Sequence, residues 1–479
     1  MSKTFYITTT LPYVNAEPHM GHALEFVRAD IIARWKKIQG YEVFFNTGTD
    51  EHGLKILKAS KAANVSPKEY ADTYSDHFRE VLRLLGVSDD VVFTRTTDAG
   101  HESATQEFWK RVQAKGYIYK KNYQTKYCVA CEEAKTESEL VDGRCPVHPT
   151  LELELIDEEN YFFKFSAFGD RLLKLYDSGA MGIVPESRMN EMREFVKRGL
   201  IDFSISRLKS KMPWGVSVPG DNAHVMYVWM DALPSYISAL GWPENAANFE
   251  KFWVKGTPTQ YCGKDNTRFQ SVMWQAMLMA AELPPTHTVV VNGFVTAEGG
   301  IKMSKSLGNV VNPVNVVNEY GTDALRYFVA REIGSFEDSP FTMDRFKGAY
   351  NTGLANGLGN LVSRVMKMAT TNLPTAVVVR DTEAPTEYVK ALDSFDIKAA
   401  SDIIWKHIAE ADQLIQEKAP FKLVKTDKIA ADKIVIDLVS RVYDIAALLE
   451  PILPATAASV KKIVRSHAMP AAPLFLRKD

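Results

Sequence analysis

Two histidines near the start of the chain could hold a phosphate group. Residues 19–22 read His-Met-Gly-His, and apolar residues follow at helical spacing up to Gly40. A helix beginning here would place free backbone N–H groups and the positive end of its dipole beside His19 and His22. The two imidazoles would share one helix face, and Gly21 between them would leave room for a flat ring. Alone, such a motif is equally typical of a helix start with one solvated histidine.

A second motif, much later in the chain, could hold another phosphate. Residues 302–306 read Lys-Met-Ser-Lys-Ser and follow the flexible stretch 298–300, Glu-Gly-Gly. Lysines on a mobile loop, here Lys302 and Lys305, suit a phosphate whose charge changes during a reaction. An isolated motif of this kind would be an ordinary basic surface loop. Together and in this order, the two motifs resemble the signature pair of class I aminoacyl-tRNA synthetases.

Three cysteines and a histidine have the spacing of a metal site. Cys128 and Cys131 form one pair, and Cys145 and His148 form a second pair after thirteen intervening residues. Such a set fits a closed tetrahedral site, in which Zn²⁺ is bound by thiolates at about 2.3 Å and imidazole at about 2.0 Å. With no open coordination position, the zinc would be structural. Cys262 is left over, and we expect it to be a buried packing residue.

The composition limits the class of protein. The chain has 479 residues, 46 % of them hydrophobic, and a net charge of −2, which excludes a generally basic coat for nucleic acid. No run of about 18 apolar residues is present, so no membrane span is expected. A strand-like segment begins at Thr4 and leaves no space for a signal peptide. Few, clustered cysteines indicate a reducing compartment, and we expect a cytoplasmic enzyme.

Strand-like and helical patterns alternate along much of the chain, as in a parallel sheet with crossover helices. We predict an α/β fold, a Rossmann-like parallel-sheet catalytic domain that is split by the zinc-knuckle insertion and followed by an all-α helical bundle. Strand-like runs cover 4–10, 42–47, 224–230 and 288–291, and helical runs cover 21–39, 106–115, 267–281, 346–369, 388–418, 430–450 and 455–466. The expected domains are 1–115 (first catalytic half), 116–223 (insertion), 224–308 (second catalytic half), 309–345 (stem-contact linker) and 346–479 (helical anticodon-binding domain).

Further segments narrow the resemblance to the methionyl-tRNA synthetase family. They extend from residue 11 to the low 420s, and several are characteristic of this one family. They are Thr10–Tyr13 (Thr-Leu-Pro-Tyr), Asn46–Gly53 (Asn-Thr-Gly-Thr-Asp-Glu-His-Gly), Tyr227–Ala232 (Tyr-Val-Trp-Met-Asp-Ala), Gly263–Asp265 (Gly-Lys-Asp) and Asn356–Leu361 (Asn-Gly-Leu-Gly-Asn-Leu).

The resemblance implies activation of methionine by ATP, accompanied by Mg²⁺, and transfer to the terminal ribose of tRNA(Met), including the initiator. It implies that the catalytic residues are His19, His22, Lys302 and Lys305. ATP would be bound by His19, Gly21, His22, Gly263, Asp265 and Lys305. L-methionine would be bound by Leu11, Tyr13, Asp50, Trp229, Ala232, Tyr236 and Gln270. Many relatives have a histidine at the position of Gln270, and a glutamine cannot become cationic.

The resemblance also assigns anticodon recognition to the helical domain. Asn360 and Arg364 match anticodon-contacting positions, and their i,i+4 spacing would put both on one helix face. Phe421 stands where relatives commonly carry a tryptophan that stacks on an anticodon base. Each residue could instead have an ordinary structural role. Asn360 could be a helix-packing residue, Arg364 a solvated side chain and Phe421 part of the core. The chain ends without an added oligonucleotide-binding module, so we expect a monomer.

Other functions stay open at this stage. Another class I synthetase would share both motifs, and cysteinyl enzymes also bind zinc, although in the amino-acid pocket. The insertion is too short for a hydrolytic editing domain, which argues against leucyl, isoleucyl and valyl enzymes. A simpler nucleotidyltransferase would leave the helical bundle unexplained. A catalytically silent tRNA-binding paralogue would not need the histidines and lysines of the two motifs.

Overall fold

A computed structural model describes residues 3–131, 133–135, 139–227, 229–300 and 311–479. The chain divides into two compact units. The first comprises Met1–Pro18, Gly40–Glu80 and Asp90–Val291, and the second comprises His19–Gln39, Val81–Asp89 and Asn292–Asp479. In the described part of the chain no helix is long and apolar enough to cross a membrane.

The strands, in chain order, are β1 (Thr4–Thr8), β2 (Glu42–Thr49), β3 (Val92–Arg95), β4 (Ile118–Cys128), β5 (Glu133–Lys135), β6 (Glu154–Phe163), β7 (Gly182–Val184), β8 (Phe203–Ser204), β9 (Ser206–Leu208), β10 (Ser217–Val218), β11 (Asp221–Met226), β12 (Thr257–Gly263), β13 (Thr288–Asn292), β14 (Val295–Thr296) and β15 (Ser339–Pro340).

The α-helices are α1 (Met20–Ile38), α2 (Leu54–Ala62), α3 (Pro67–Leu84), α4 (Ala99–Ala114), α5 (Gly169–Asp177), α6 (Glu186–Lys197), α7 (Trp229–Ala232), α8 (Ser235–Ser238), α9 (Trp274–Ala280), α10 (Pro313–Tyr320), α11 (Thr322–Tyr327), α12 (Met343–Ala349), α13 (Asn360–Asn372), α14 (Thr386–Asp393), α15 (Ile397–Lys418), α16 (Pro420–Leu423), α17 (Lys428–Leu449) and α18 (Pro454–Arg465). Wider π-helical turns form Phe249–Val254, Phe269–Met273, Phe328–Glu332 and Tyr350–Gly359.

The first unit is built around a six-stranded sheet in the order β3-β2-β1-β12-β13-β7. Strand β1 pairs in parallel with both β2 and β12, and β2–β3 and β13–β7 are parallel as well. β13 is an almost continuous valine run with every side chain buried, which is typical of a parallel strand covered on both faces. The predicted α/β class with a parallel sheet is confirmed.

The insertion is also confirmed. A long antiparallel pair joins β4 to β6, in register from Ile118 opposite Phe163 to Tyr127 opposite Glu154. The strand order in this sheet is β5-β4-β6-β8, and β10-β11-β9 form a separate three-stranded sheet. These antiparallel sheets explain why the alternation of strands and helices is lost over much of 116–223, although β7 within this range pairs in parallel with β13 in the six-stranded sheet.

Two local predictions were wrong. The run 224–230, expected to resume the alternation of the parallel sheet, forms β11 in the small antiparallel sheet, and Trp229 already begins α7. The side chains at the start of β11 are partly or fully exposed, as is typical of an antiparallel strand. The central strand β12 was not predicted, because Pro258, Thr259 and Gln260 interrupt its apolar pattern. Inside the sheet, Gln260 accepts a hydrogen bond from Thr286 at 2.5 Å.

The second unit contains the predicted C-terminal helical region. The helical run expected over 388–418 is interrupted at Ser394–Asp396, between α14 and α15. Phe395 adopts a positive φ of 63°, which ends one helix, and the Asp396 carboxylate accepts from the backbone N–H of Ala399 at 3.0 Å, which starts the next. Short strands β14 and β15 pair in parallel in the same unit.

Candidate functional site

The histidine motif forms the N-terminus of α1. His19 is the N-cap residue, and its Nδ1 accepts from the backbone N–H of Gly21 at 3.1 Å. Nδ1 of His22 accepts in turn from the backbone N–H of His19 at 3.3 Å. The two rings stack with their centroids 3.8 Å apart. Because each Nδ1 is an acceptor, the ring proton of each neutral imidazole is assigned to Nε2, where it can be donated to an anion.

Gly21 is required by this stacked arrangement. A methyl group on Gly21 would lie 2.9 Å from Cε1 of His19, closer than carbon atoms normally approach. A side chain here would therefore push His19 out of its capping position. The structure thus explains the glycine by its contact with the histidine ring.

Two buried charged residues hold α1 in the second unit. Asp30 forms an ion pair with Arg326 at 2.8 Å and accepts from the backbone and hydroxyl of Ser88. Two residues earlier, Arg28 donates to Asn292 at 2.9 Å and to the carbonyl of Ser335 at 2.8 Å. The orientation of the helix that begins with the histidines is therefore set by several specific contacts. The lysine motif, with Lys302 and Lys305, lies outside the described residues.

Several of the other candidates follow the carboxyl ends of adjacent parallel strands in the first unit. Leu11 and Tyr13 follow β1, Asp50 follows β2, and Gly263 and Asp265 lie at the end of β12. These three strands are neighbours in the order β2-β1-β12. Ligands of open α/β sheets bind in the crevice outside such strand ends, so the topology brings these five residues to one binding edge.

Backbone pairing joins the segments after β1 and β2. Tyr13 and Asp50 form an isolated parallel bridge, and the backbone N–H of Asp50 donates to the carbonyl of Pro12 at 2.9 Å. The side chain of Leu11 is buried, and Asp50 is almost completely buried. A buried carboxylate at this edge can bind a cationic group.

Gln270 connects the predicted pocket residue Tyr236 to Thr10, which precedes Leu11. Its Nε2 donates to the hydroxyl of Thr10 at 3.0 Å and to Oη of Tyr236 at 3.0 Å. Its Oε1 is buried and has no hydrogen-bond partner among the described residues. Trp229 stacks on Phe269, the residue before Gln270, with ring centroids 3.7 Å apart.

The turn after β12 has a compact geometry around Gly263. The backbone N–H of Asn266 donates to the carbonyl of Gly263 at 2.9 Å. A methyl group on Gly263 would lie 2.8 Å from Oδ1 of Asp265, so only glycine allows this placement of the carboxylate. The aspartate is thus held beside the end of a central strand.

The Cys3His cluster predicted from spacing is assembled. The potential ligand atoms of Cys128, Cys131, Cys145 and His148 all lie within 4.8 Å of one another. Sγ of Cys131 is 3.5 Å from Sγ of Cys145 and 3.2 Å from Nδ1 of His148. Tetrahedral zinc would separate its sulfur and nitrogen ligands by about 3.5–3.8 Å, so the four residues fit this metal.

Backbone groups favour the thiolate form of Cys145. Burial would raise the pKa of its thiol, but the N–H groups of His148 and Val147, together with the side chains of Cys131 and Cys128, outweigh burial and lower the pKa. Cys262, expected to be a packing residue, is indeed buried in a hydrophobic core of the first unit.

The anticodon candidates all lie in the second unit. Asn360 is exposed at the start of α13, and Arg364, one turn later, pairs with Asp412 at 2.9 Å. Burial raises the pKa of Asp412, and Arg364 opposes this shift. Phe421, on α16, is 48 % exposed, which excludes the alternative that it is simply a core residue.

Sequence reasoning did not single out three buried polar residues of the first unit. His52 and Asp231 lie inside two of the quoted segments, and His101 lies on α4. The structure joins all three by hydrogen bonds. Asp231 alone had a local sign, as an ionisable residue within the apolar segment 227–232, whereas His52 and His101 lie in polar stretches.

Comparisons with known proteins agree with this geometry. The sequence profile of a family described as tRNA synthetases class I (M) matches residues 5–153 and 150–366. A methionine–tRNA ligase of Caldanaerobacter subterraneus is 40 % identical over 95 % of this chain and 73 % of its own length. A methionine–tRNA ligase of Nostoc is 39 % identical over 94 % of this chain and 88 % of its own length.

Solved structures are similar over the whole chain. The methionyl-tRNA synthetase of Mycobacterium tuberculosis, in complex with methionyl-adenylate, superposes with a TM-score of 0.91 at 35 % identity, covering 99 % of this chain and 100 % of that one. Its free form gives a TM-score of 0.83 at 31 % identity, covering 100 % and 99 % of the two chains.

Proposed function

The chain belongs to the class I methionyl-tRNA synthetases and is a methionine–tRNA ligase, and from this premise we propose which residues carry the reaction. The carboxylate of methionine attacks the α-phosphorus of ATP, and pyrophosphate leaves. A hydroxyl of the terminal ribose of tRNA(Met) then attacks the carbonyl carbon of the adenylate, and AMP leaves. The observation that carries the assignment is the group of candidates at the carboxyl ends of β2, β1 and β12.

We assign methionine binding to residues of the first unit. Asp50 supplies a carboxylate for the substrate ammonium group, with the backbone of Leu11 beside it. Gln270 donates to Oη of Tyr236 and so orients this hydroxyl, and we assign Tyr236 to the thioether sulfur, a weak acceptor. Because a glutamine amide does not titrate, this donation does not depend on pH. Tyr13, Trp229 and Ala232 supply apolar and aromatic surface for the flexible side chain.

We also assign roles in ATP binding to the two histidines at the start of α1, to Asp265 after β12 and to the lysine motif. The Nε2–H groups of His19 and His22 donate to phosphate oxygens at the N-terminus of α1, where the helix dipole favours an anion. Asp265 takes the ribose hydroxyls. Lys305, assisted by Lys302, stabilises the charge that appears on pyrophosphate. Mg²⁺ accompanies the phosphates of ATP and screens their charge.

The metal and tRNA assignments are part of the same proposal. Zinc bound by the Cys3His cluster would close the turn after β4 and hold the insertion together, with no part in the chemistry. The anticodon of tRNA(Met), initiator included, is contacted by Asn360, Arg364 and Phe421.

We place the split catalytic domain at 1–115 and 224–308, the insertion at 116–223, the linker at 309–345 and the helical domain at 346–479. The protein acts as a cytoplasmic monomer.

Methionine-dependent exchange of pyrophosphate into ATP, without tRNA, tests the pocket. Tyr236→Phe should raise KM for methionine about fivefold to tenfold, the cost of one hydrogen bond, and leave KM for ATP unchanged. Tyr388→Phe is a matched control, because Tyr388 is equally buried and donates to the carbonyl of Leu448 at 2.7 Å in the second unit, outside the proposed pocket. An equal effect of both substitutions on KM for methionine would contradict the assignment.

A further inference from the structure

Three ionisable residues form a buried chain inside the first unit. Nδ1 of His52 lies 2.7 Å from Oδ2 of Asp231, and Nε2 of His101 lies 3.1 Å from Oδ1 of the same carboxylate. The exposed fractions of His52, Asp231 and His101 are 5 %, 1 % and 2 %. None of the three is among the residues assigned to the substrates above, and their hydrogen bonds to one another indicate a role that acts through their neighbours.

The hydrogen bonds determine where the protons lie. The Asp231 carboxylate can only accept, so His52 donates through Nδ1–H and His101 through Nε2–H. Nδ1 of His101 is then an acceptor, and the hydroxyl of Ser238 donates to it at 2.9 Å. A continuous chain of directed hydrogen bonds therefore runs from Ser238 to Asp231 and from His52 to Asp231.

The electrostatics favour the ionised carboxylate of Asp231. Burial would raise the pKa of Asp231, but His52 and His101 outweigh burial and lower it to about 2. Burial would lower the pKa of His52, but Asp231, together with Glu102 and Glu51, outweighs burial and raises it. A buried ion pair adds little net stability compared with apolar residues of the same size, whereas it imposes a strict geometry on the segments that it joins.

Those segments are the ones that hold the proposed methionine pocket. His52 follows Asp50 by two residues, Asp231 lies between Trp229 and Ala232, and Ser238 follows Tyr236 by two residues. The chain thus ties the end of β2 to α7 and α8. An edge-on contact of the His52 ring with Trp214, with centroids 5.2 Å apart, restrains the imidazole from a further side.

We propose that His52, Asp231 and His101 are positioning residues that hold the aromatic wall of the methionine pocket, Trp229 to Tyr236, against the strand end that carries Asp50. The proposal rests on the assignment of the pocket made above. It predicts that loosening the chain weakens methionine binding specifically, because the wall and the carboxylate then no longer keep a fixed separation. ATP binding does not depend on this separation.

Steady-state pyrophosphate exchange with varied methionine and varied ATP tests the proposal on the full chain. His52→Leu should raise KM for methionine about tenfold or more, with KM for ATP within about twofold of wild type. His52→Gln keeps a side-chain N–H that can reach Asp231, and it should restore most of the methionine affinity. Ser238→Ala, a milder change, should raise KM for methionine about twofold to fourfold if His52→Leu does not fold.

A second buried histidine provides the matched control. His224 contacts Asp221 at 3.1 Å and the carbonyl of Glu159 at 3.0 Å, on β11 and outside the proposed pocket. His224→Leu should lower the melting temperature and leave KM for methionine unchanged. If His52→Leu or Ser238→Ala also leaves KM for methionine unchanged, the positioning role is overturned.

Trp229→Ala separates this proposal from the pocket assignment. An increase of KM for methionine in Trp229→Ala without one in His52→Leu would overturn the positioning role alone. If Trp229→Ala leaves KM for methionine at the wild-type value, the pocket is misassigned and the positioning proposal falls with it. An increase in both variants, with rescue by His52→Gln, supports both.

Discussion

The buried pair of Asp30 and Arg326 allows a sharp prediction about the helix that carries the histidines. Both side chains are fully buried. The guanidinium of Arg326 also donates hydrogen bonds to the carbonyls of Ile452, Pro451 and Leu85, at 2.8, 3.1 and 3.1 Å. Arg326→Met would remove the ion pair and these bonds together while keeping a long apolar side chain.

The expected loss of stability follows from the Asp30 carboxylate, which the substitution leaves buried without its main partner. Removing one partner of a buried ion pair costs about 3–5 kcal/mol, because the other charge is left uncompensated. Asp30 would keep Arg34 at 2.7 Å, so this charge is partly compensated and the lower part of the range applies. We expect Arg326→Met to lower the free energy of unfolding by about 3 kcal/mol, more than a hundredfold in the unfolding equilibrium.

Urea titration followed by far-UV circular dichroism measures this change. Arg441→Met is the matched control, since Arg441 forms a solvent-exposed ion pair with Asp437 on α17 at 2.9 Å, and its substitution should cost at most about 1 kcal/mol. If the two substitutions cost the same, the reasoning about buried charge at Asp30 is refuted.

The effect of pH provides an independent check. Burial would raise the pKa of Asp30, but Arg326 and Arg34 outweigh burial and lower the pKa. A lowered pKa in the folded state means that the pair stabilises the protein above the unfolded pKa of about 3.9 and ceases to do so as the pH falls through the folded pKa. The stability difference between wild type and Arg326→Met should therefore be constant near neutral pH and shrink in acid below about pH 4.

Three further predictions concern the proposed function. Lys305→Ala should slow adenylate formation by about 10²–10³, or 3–4 kcal/mol, with little change in methionine affinity; an unchanged rate in single-turnover kinetics would contradict its role. Cys131→Ser should abolish the binding of one zinc per chain, measured by elemental analysis, whereas Cys262→Ser should retain it; metal retained by Cys131→Ser would refute the cluster. Phe421→Ala should raise KM for tRNA(Met) and leave tRNA-free pyrophosphate exchange intact, since stacking on a base is worth about 1–3 kcal/mol; a parallel loss of both activities would assign Phe421 to folding instead.

Local features of the chain were predictable because short-range physics decides them. The start of α1 at the histidine motif follows from helical periodicity and capping, and the structure places His19 at the N-cap. The Cys3His cluster follows from ligand spacing, because two close pairs can meet around one ion whatever lies between them. The valine run of β13 likewise predicts a buried strand from the local sequence alone, whichever strands lie beside it.

Long-range partners were decided only by the tertiary structure. Asp231 meets His52 and His101 across 179 and 130 residues, and no local pattern distinguishes those two histidines from others. The central position of β12 and the interruption at Phe395 also contradict the local hydrophobic pattern. The physical reason is that periodicity reports which face of an element is apolar, whereas the choice of a buried polar partner depends on which strand ends and helices the topology brings together.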